Sequence, residues 1–148
     1  MSILSKLSDA QIREIAGSID AGFVCYIHAG TGEMIFMMNE EMLDYNGMSG
    51  EDEADMAKID SWGVKNTIRI DKPASYEAFA FMERFVDEVI PEGRLKEDFE
   101  RALSKSHPFR NFNAIVKNCE YLDDWYEFKQ NAMEAYVRRE LDCWEDKK

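Results

Sequence analysis

Phe23-Val24-Cys25-Tyr26-Ile27-His28, Ala29-Gly30-Thr31-Gly32 and Glu33-Met34-Ile35-Phe36-Met37-Met38 follow one another without interruption, and their reading decides the fold. The outer runs are rich in β-branched, aromatic and long apolar residues, while the four residues between them include two glycines. That pattern specifies a β-hairpin. If His28 pairs with Glu33, the two-residue period of a strand sorts the side chains onto two faces. Phe23, Cys25, Ile27, Met34, Phe36 and Met38 share one face, wholly apolar and expected to meet the core. Val24, Tyr26, His28, Glu33, Ile35 and Met37 share the other, mixed in polarity and expected to be the open, outer one.

Upstream, Ser8-x-x-Gln11 forms a capping box ahead of Ile12, Ile15, Ala16 and Ile19 at helical spacing, with a stop near Gly22. Downstream, residues 64–71 read as a third strand, Ile68 and Ile70 inward and Arg69 outward. Pro73 interrupts, and Ser75 opens a helix to about Ile90. Phe79, Met82, Val86 and Val89 make its main stripe, widened by Phe81 and Phe85. Pro91 and Gly93 form a corner before a helix bearing Leu95, Phe99, Ala102 and Leu103, with Glu97 and Arg101 an i,i+4 pair on its outer side. Pro108 suits the first position of a short helix carrying Phe109, Phe112 and Val116. A last helix from about Tyr121 to Cys143 has Leu122, Trp125, Met133, Tyr136, Val137 and Leu141 as its stripe. The order predicts one α+β domain over residues 1–148. Residues 1–72 hold a helix, the hairpin, an acidic loop and the third strand; residues 73–148 form a helical half. The architecture expected is a small antiparallel sheet, hairpin plus third strand, with an N-terminal helix and four C-terminal helices packed on one face.

The formal charge of the 148-residue chain is −12, and it is unevenly placed. Glu40, Glu41, Asp44, Glu51, Asp52, Glu53, Asp55 and Asp60 face Lys58 alone within residues 39–60. With Gly47 and Gly50 in the same stretch, the reading is a mobile acidic loop that opposes phosphate-backbone binding. A calcium loop starting at Asp44 fails, because Met48 stands at a ligand position and Ser49 where the turn glycine belongs. Cys25, Cys119 and Cys143 are odd in number and lack Cys-x-x-Cys spacing, which implies reduced thiols and a cytoplasmic location. The polar start of the chain is unlike a secretory signal, and no run approaches the ~20 apolar residues of a spanning helix. No motif calls for a cofactor or a metal.

Two aromatic motifs stand out near the end, Phe109-Arg110-Asn111-Phe112 and Trp125-Tyr126-Glu127-Phe128. Together with Thr31-Gly32-Glu33 in the hairpin, the acidic middle and the helix from Ser75, they make the chain resemble an uncharacterised bacterial protein family of unknown function. In that family a Phe-Arg-x-Phe motif precedes a Trp-Tyr-x-Phe motif in a helical C-terminal half. The resemblance implies the fold and a bacterial cytoplasmic setting, and it carries no activity. Where the family has paired basic residues around the first motif, this chain has His107-Pro108 before it and Asn111 after Arg110.

Two groups of residues are candidates for a binding site. Arg110 with Asp123 or Asp124 has the chemistry to clamp a carboxylate or phosphate, beside the rings of Trp125 and Tyr126; the plainer reading is a helix–helix corner pinned by an arginine–carboxylate fork over packed aromatics. On the outer sheet face, Tyr26, His28, Glu33 and Arg69 offer a His–Glu pair for acid–base chemistry, against the plainer reading of cross-strand charge pairing. Cys25, on the core face, reads as a small inert hydrophobe.

Three functions remain from these residues. The first is a non-catalytic protein-binding or adaptor module, acting through the outer sheet face or a groove between the C-terminal helices, with a homodimer as one form of partner. The second is an acidic regulator engaging a basic partner through residues 39–60. The third is an enzyme with a His28–Glu33 site on the open sheet face. A membrane and direct contact with nucleic acid are not expected.

Overall fold

The computed structural model describes residues 2–38 and 50–146. In chain order these form α1 (Ile3–Lys6), α2 (Asp9–Asp20), β1 (Phe23–His28), β2 (Met34–Met38), α3 (Gly50–Trp62), a short 3-10 turn (Val64–Asn66), β3 (Thr67–Ile70), α4 (Ser75–Glu88), α5 (Arg94–Ser104), α6 (Pro108–Val116) and α7 (Leu122–Asp146). The architecture is α+β, with a small antiparallel sheet of order β2-β1-β3. The chain sorts into two compact units, Met1–Lys72 with Met133–Lys148, and Pro73–Ala132.

In the first unit the capping box forms as read. The Gln11 amide donates to Ser8 Oγ (3.1 Å), and the Ser8 amide donates to Gln11 Oε1 (2.8 Å). The helix it starts packs against β1, burying Ile12, Ile15, Ala16 and Ile19. The hairpin has the register implied by its turn, from Phe23 opposite Met38 to Ile27 opposite Met34. Beyond it the His28 amide donates to the Glu33 carbonyl (2.8 Å) and the Gly32 amide to the His28 carbonyl (2.8 Å). Gly32 closes the turn at φ 79°, where a side chain would be strained. On the other edge of β1, β3 sets Cys25 opposite Ile70 and Ile27 opposite Ile68. These four, fully or nearly fully buried, are the heart of the core face. Phe23, assigned to that face, stays partly exposed at the strand's start. The third strand begins at Thr67 because residues 64–66 curl into the 3-10 turn.

The outer face of the sheet is covered, contrary to the expectation of an open one. Residues 50–60, read as part of a mobile loop, fall in α3, which lays Ile59 and Trp62 on Ile35 and Met37, with Tyr26 and Met56 packed alongside. Helix formation there has a physical source. Asp52 and Glu53 fall in the first turn, where the helix dipole favours carboxylates, and Met56, Ile59 and Trp62 recur every three residues on one side. Residues 39–49, the rest of the expected loop, lie outside the described residues.

The last helix contributes its second half to the same unit. Met133, Tyr136, Val137 and Leu141 are buried, and Tyr136 Oη donates to the Asp71 carbonyl at 2.6 Å. Arg138 reaches Asp9 at 3.1 Å. The Ile3 amide donates to the Glu145 carboxylate, a contact between α1 and the end of α7 inside the same unit.

The second unit is a helical cluster around aromatic rings. Met82, Phe85, Val86, Ile90, Phe99, Phe112, Val116 and Trp125 form its buried centre. Phe112 is enclosed by Trp125, Phe99 and Phe85, with ring centroids at 4.7, 5.2 and 6.2 Å. The Trp125 and Phe85 contacts are edge-on and the Phe99 contact is tilted; such aromatic pairs add about 0.5–1.5 kcal/mol each beyond the area they bury. Pro108 opens α6 at its first position as read, preceded by His107 in the left-handed region at φ 58°. The Asn111 side chain ties that start to the end of α5, donating to the carbonyls of Ser106 (2.9 Å) and Ala102 (3.2 Å). On α5, Arg101 pairs with Asp98 at 3.3 Å instead of the expected Glu97, because an i,i+3 neighbour on the same helix competes for the guanidinium.

Candidate functional site

The first sequence candidate was the sheet-face group. Pairing places Tyr26 directly opposite Arg69, and the Arg69 guanidinium lies over the Tyr26 ring at 5.7 Å. Arg69 is also held by a two-pronged bond to Asp71, at 2.9 and 3.1 Å. His28 works inside its own turn: Nδ1 accepts from the amides of Gly30 (2.9 Å) and Thr31 (3.2 Å). An accepting Nδ1 carries no proton, so the proton resides on Nε2. The ring meets Trp62 edge-on at 5.3 Å. Glu33 forms an ion pair with Lys58 of α3. The four residues share a face, yet each is engaged in holding the hairpin, its turn or α3.

The second candidate group lies in the helical unit and is split by burial. Trp125 is in the core, whereas Arg110, Asp123, Asp124 and Tyr126 are exposed. Neighbouring positions on a helix point about 100° apart, which is why Trp125 faces inward and Tyr126 outward. No ion pair joins Arg110 to Asp123 or Asp124 among the described residues, so the expected fork at the helix corner is absent there. Of the five rings in the two motifs, Phe112, Trp125 and Phe128 belong to or pack on the core, and Phe109 and Tyr126 reach the surface.

A third location is a groove between C-terminal helices, a kind of surface offered from sequence without its residues being named. Helices α4 and α5, with the corner that joins them, wall a groove of about 670 Å³ lined by Phe79, Glu83, Val86, Asp87, Glu92, Lys96, Glu100, Leu103 and Ser104. Phe79, Glu83 and Val86 follow at i, i+4, i+7 along α4, and Lys96, Glu100 and Leu103 do the same along α5. Each wall is therefore one helical stripe. The floor is apolar, made by Phe79, Val86 and Leu103, and the ring of Phe109 meets Phe79 edge-on at 6.5 Å. The walls carry four carboxylates and one ammonium. Lys96 Nζ is folded inward, donating to Glu92 Oε1 (3.2 Å) and the Asp87 carbonyl (3.4 Å). Residues 83–100 contain seven acids against three bases, a local excess overshadowed in the sequence by the denser run at 39–60.

Cys25 is chemically quiet. Burial, with a smaller contribution from the Glu14 charge, pushes its thiol up to about 12, so the nucleophilic thiolate is scarce. No group of three or more metal-ligating side chains occurs among the described residues. No helix there is long and apolar enough to cross a membrane.

A small three-stranded antiparallel sheet within a chain that is mainly helical defines an α+β protein. The chain belongs to an uncharacterised protein family (UPF0158), whose model matches residues 11–144. No curated protein and no solved structure matches it.

Proposed function

We propose that this chain is a non-catalytic protein-binding module that presents the groove between α4 and α5 to a partner. The observation that carries the reading is the groove itself: an apolar floor of Phe79, Val86 and Leu103, each packed into the aromatic core beneath, between two helical walls. Surfaces that bind proteins combine an apolar, aromatic centre with a polar rim on a preformed scaffold. The engagements of His28 with its turn and Trp62, and of Glu33 with Lys58, support the same reading. Three free thiols suit a reducing compartment, and we place the module in the cytoplasm.

The test is affinity capture from a native lysate with three baits: the wild type, Leu103→Lys in the groove floor, and Tyr76→Ala, an exposed residue outside the groove lining. Far-UV circular dichroism establishes that each bait is folded. A protein retained by the wild type and Tyr76→Ala but lost from Leu103→Lys supports the proposal. Identical captures by all three baits overturn it.

A further inference from the structure

Resting on the binding-module reading above, we infer that the groove takes a basic amphipathic helix of a partner protein. The shape argument is that two helical walls above an apolar strip match the mode in which a helix lays its apolar face into a groove. From Phe79 to Asp87 the α4 wall rises roughly 12 Å at 1.5 Å per residue. That length accommodates a little over two turns of an incoming helix.

Charge selects the occupant. Glu83 and Asp87 stand one turn apart on one wall, Glu100 stands on the other, and Glu92 lies at the corner. Glu83, Asp87 and Glu100 form no ion pair with any described residue, so these three carboxylates of the groove lining are open to an incoming cation. The groove already receives one cation from its own chain. The Lys96 side chain is only 12% exposed, its ammonium held between the Glu92 carboxylate and the Asp87 carbonyl near the end of α4. That carbonyl belongs to the last turn of a helix, where the dipole's negative end favours cations. An incoming lysine or arginine finds the same kind of partner at Glu83 and Glu100, while its apolar neighbours meet Phe79 and Leu103. Acidic segments are repelled, and so is a nucleic-acid backbone. A second copy of the chain, at −12, is opposed by its own charge. The sequence required of the occupant has apolar residues at i, i+3, i+4 and i+7, flanked on both sides by Lys or Arg.

The experiment uses the full chain and a synthetic Leu/Lys amphipathic helix of about four turns, with affinity read by fluorescence anisotropy. Comparison probes are the same residues in scrambled order, a Leu/Glu helix of the same pattern, and spermine. The combined variant Glu83→Gln/Asp87→Asn/Glu100→Gln is set against Glu53→Gln/Asp60→Asn/Glu120→Gln, which makes the same charge change at exposed positions elsewhere. The expected result is saturable binding of the Leu/Lys helix that weakens at least about ten-fold in the groove variant and by less than about two-fold in the control. The scrambled peptide binds at least about ten-fold more weakly, and the Leu/Glu helix does not bind. Equal affinity for the scrambled peptide or for spermine, or an unchanged groove variant, overturns the inference. The two levels separate in the capture experiment. A partner lost by Leu103→Lys but kept by the carboxamide variant leaves the binding module standing and removes the basic helix. A partner kept by both removes the module reading as well.

Discussion

Trp62→Ala is expected to remove about 3 kcal/mol of stability. Trp62 is 9% exposed and sits with Ile35, Met37 and Ile59 on the sheet face that α3 covers. A buried tryptophan hides roughly 200 Å², which at about 25 cal/mol per Å² corresponds to roughly 5 kcal/mol. Alanine keeps part of that burial and α3 relaxes toward the gap, which brings the expected loss to the low end of the roughly 3–5 kcal/mol seen for such truncations. For a chain of this length that lowers Tm by roughly 6–12 °C. The assay is urea unfolding followed by far-UV circular dichroism, with the m value checked for each variant, since two compact units need not unfold in one step. A double-mutant cycle with His28→Ala isolates the edge-on ring contact at 5.3 Å, expected to couple by about 1 kcal/mol. A loss below about 1 kcal/mol for Trp62→Ala, together with no coupling to His28, refutes the account in which α3 seals the sheet.

Two further outcomes follow from packing and from a displaced ionisation. Phe112→Ala empties the centre of the helical unit, where the ring is fully buried among Phe85, Phe99 and Trp125; about 4 kcal/mol of lost stability is expected by calorimetry or urea titration, and a loss under about 2 kcal/mol contradicts the packing described. Cys25 ionises near 9.0 in its unperturbed state and near 12 when folded, so its stabilising contribution is complete below pH 9 and is lost as pH rises toward 12. Between pH 8 and 11 the wild type should therefore lose about 3 kcal/mol relative to Cys25→Ala, and parallel pH profiles of the two proteins would disprove the assignment.

The parts of the fold legible in the sequence were those governed by local rules. The Ser8–Gln11 capping box, the hairpin register, the inward Ile68 and Ile70, and Pro108 at a helix start each depend on residues within a few positions of one another. The α3 helix was hidden because four of its first six residues are acidic, so composition outweighed the three-residue recurrence of Met56, Ile59 and Trp62. Its role could not be read locally at all, since Trp62 meets His28 across thirty-four positions. The residues that line the groove were missed for a related reason. Phe79, Val86 and Leu103 read correctly as apolar stripes, but a stripe does not reveal which of its members line an opening and which meet a core. Phe85 and Phe79 lie on the same helix, one fully buried and the other at the groove. Arg110, Tyr126 and the Asp123–Asp124 pair attracted notice by residue type, and residue type does not determine whether a guanidinium and a carboxylate point at each other.

The bond from the Ile3 amide to Glu145 has a consequence for how the protein is made. Residues 73–132 form a unit of their own, whereas the sheet-bearing unit requires Met133, Tyr136, Val137 and Leu141 from the far end of the chain. The helical insert can close without residues 133–148, ahead of the segment that precedes it in the chain. The sheet must wait without the Tyr136–Asp71 contact until residues 133–141 are available, reversing the usual order in which N-terminal parts fold first. A released fragment ending at residue 132 should thus protect residues 73–132 from protease and leave the earlier half open to cleavage.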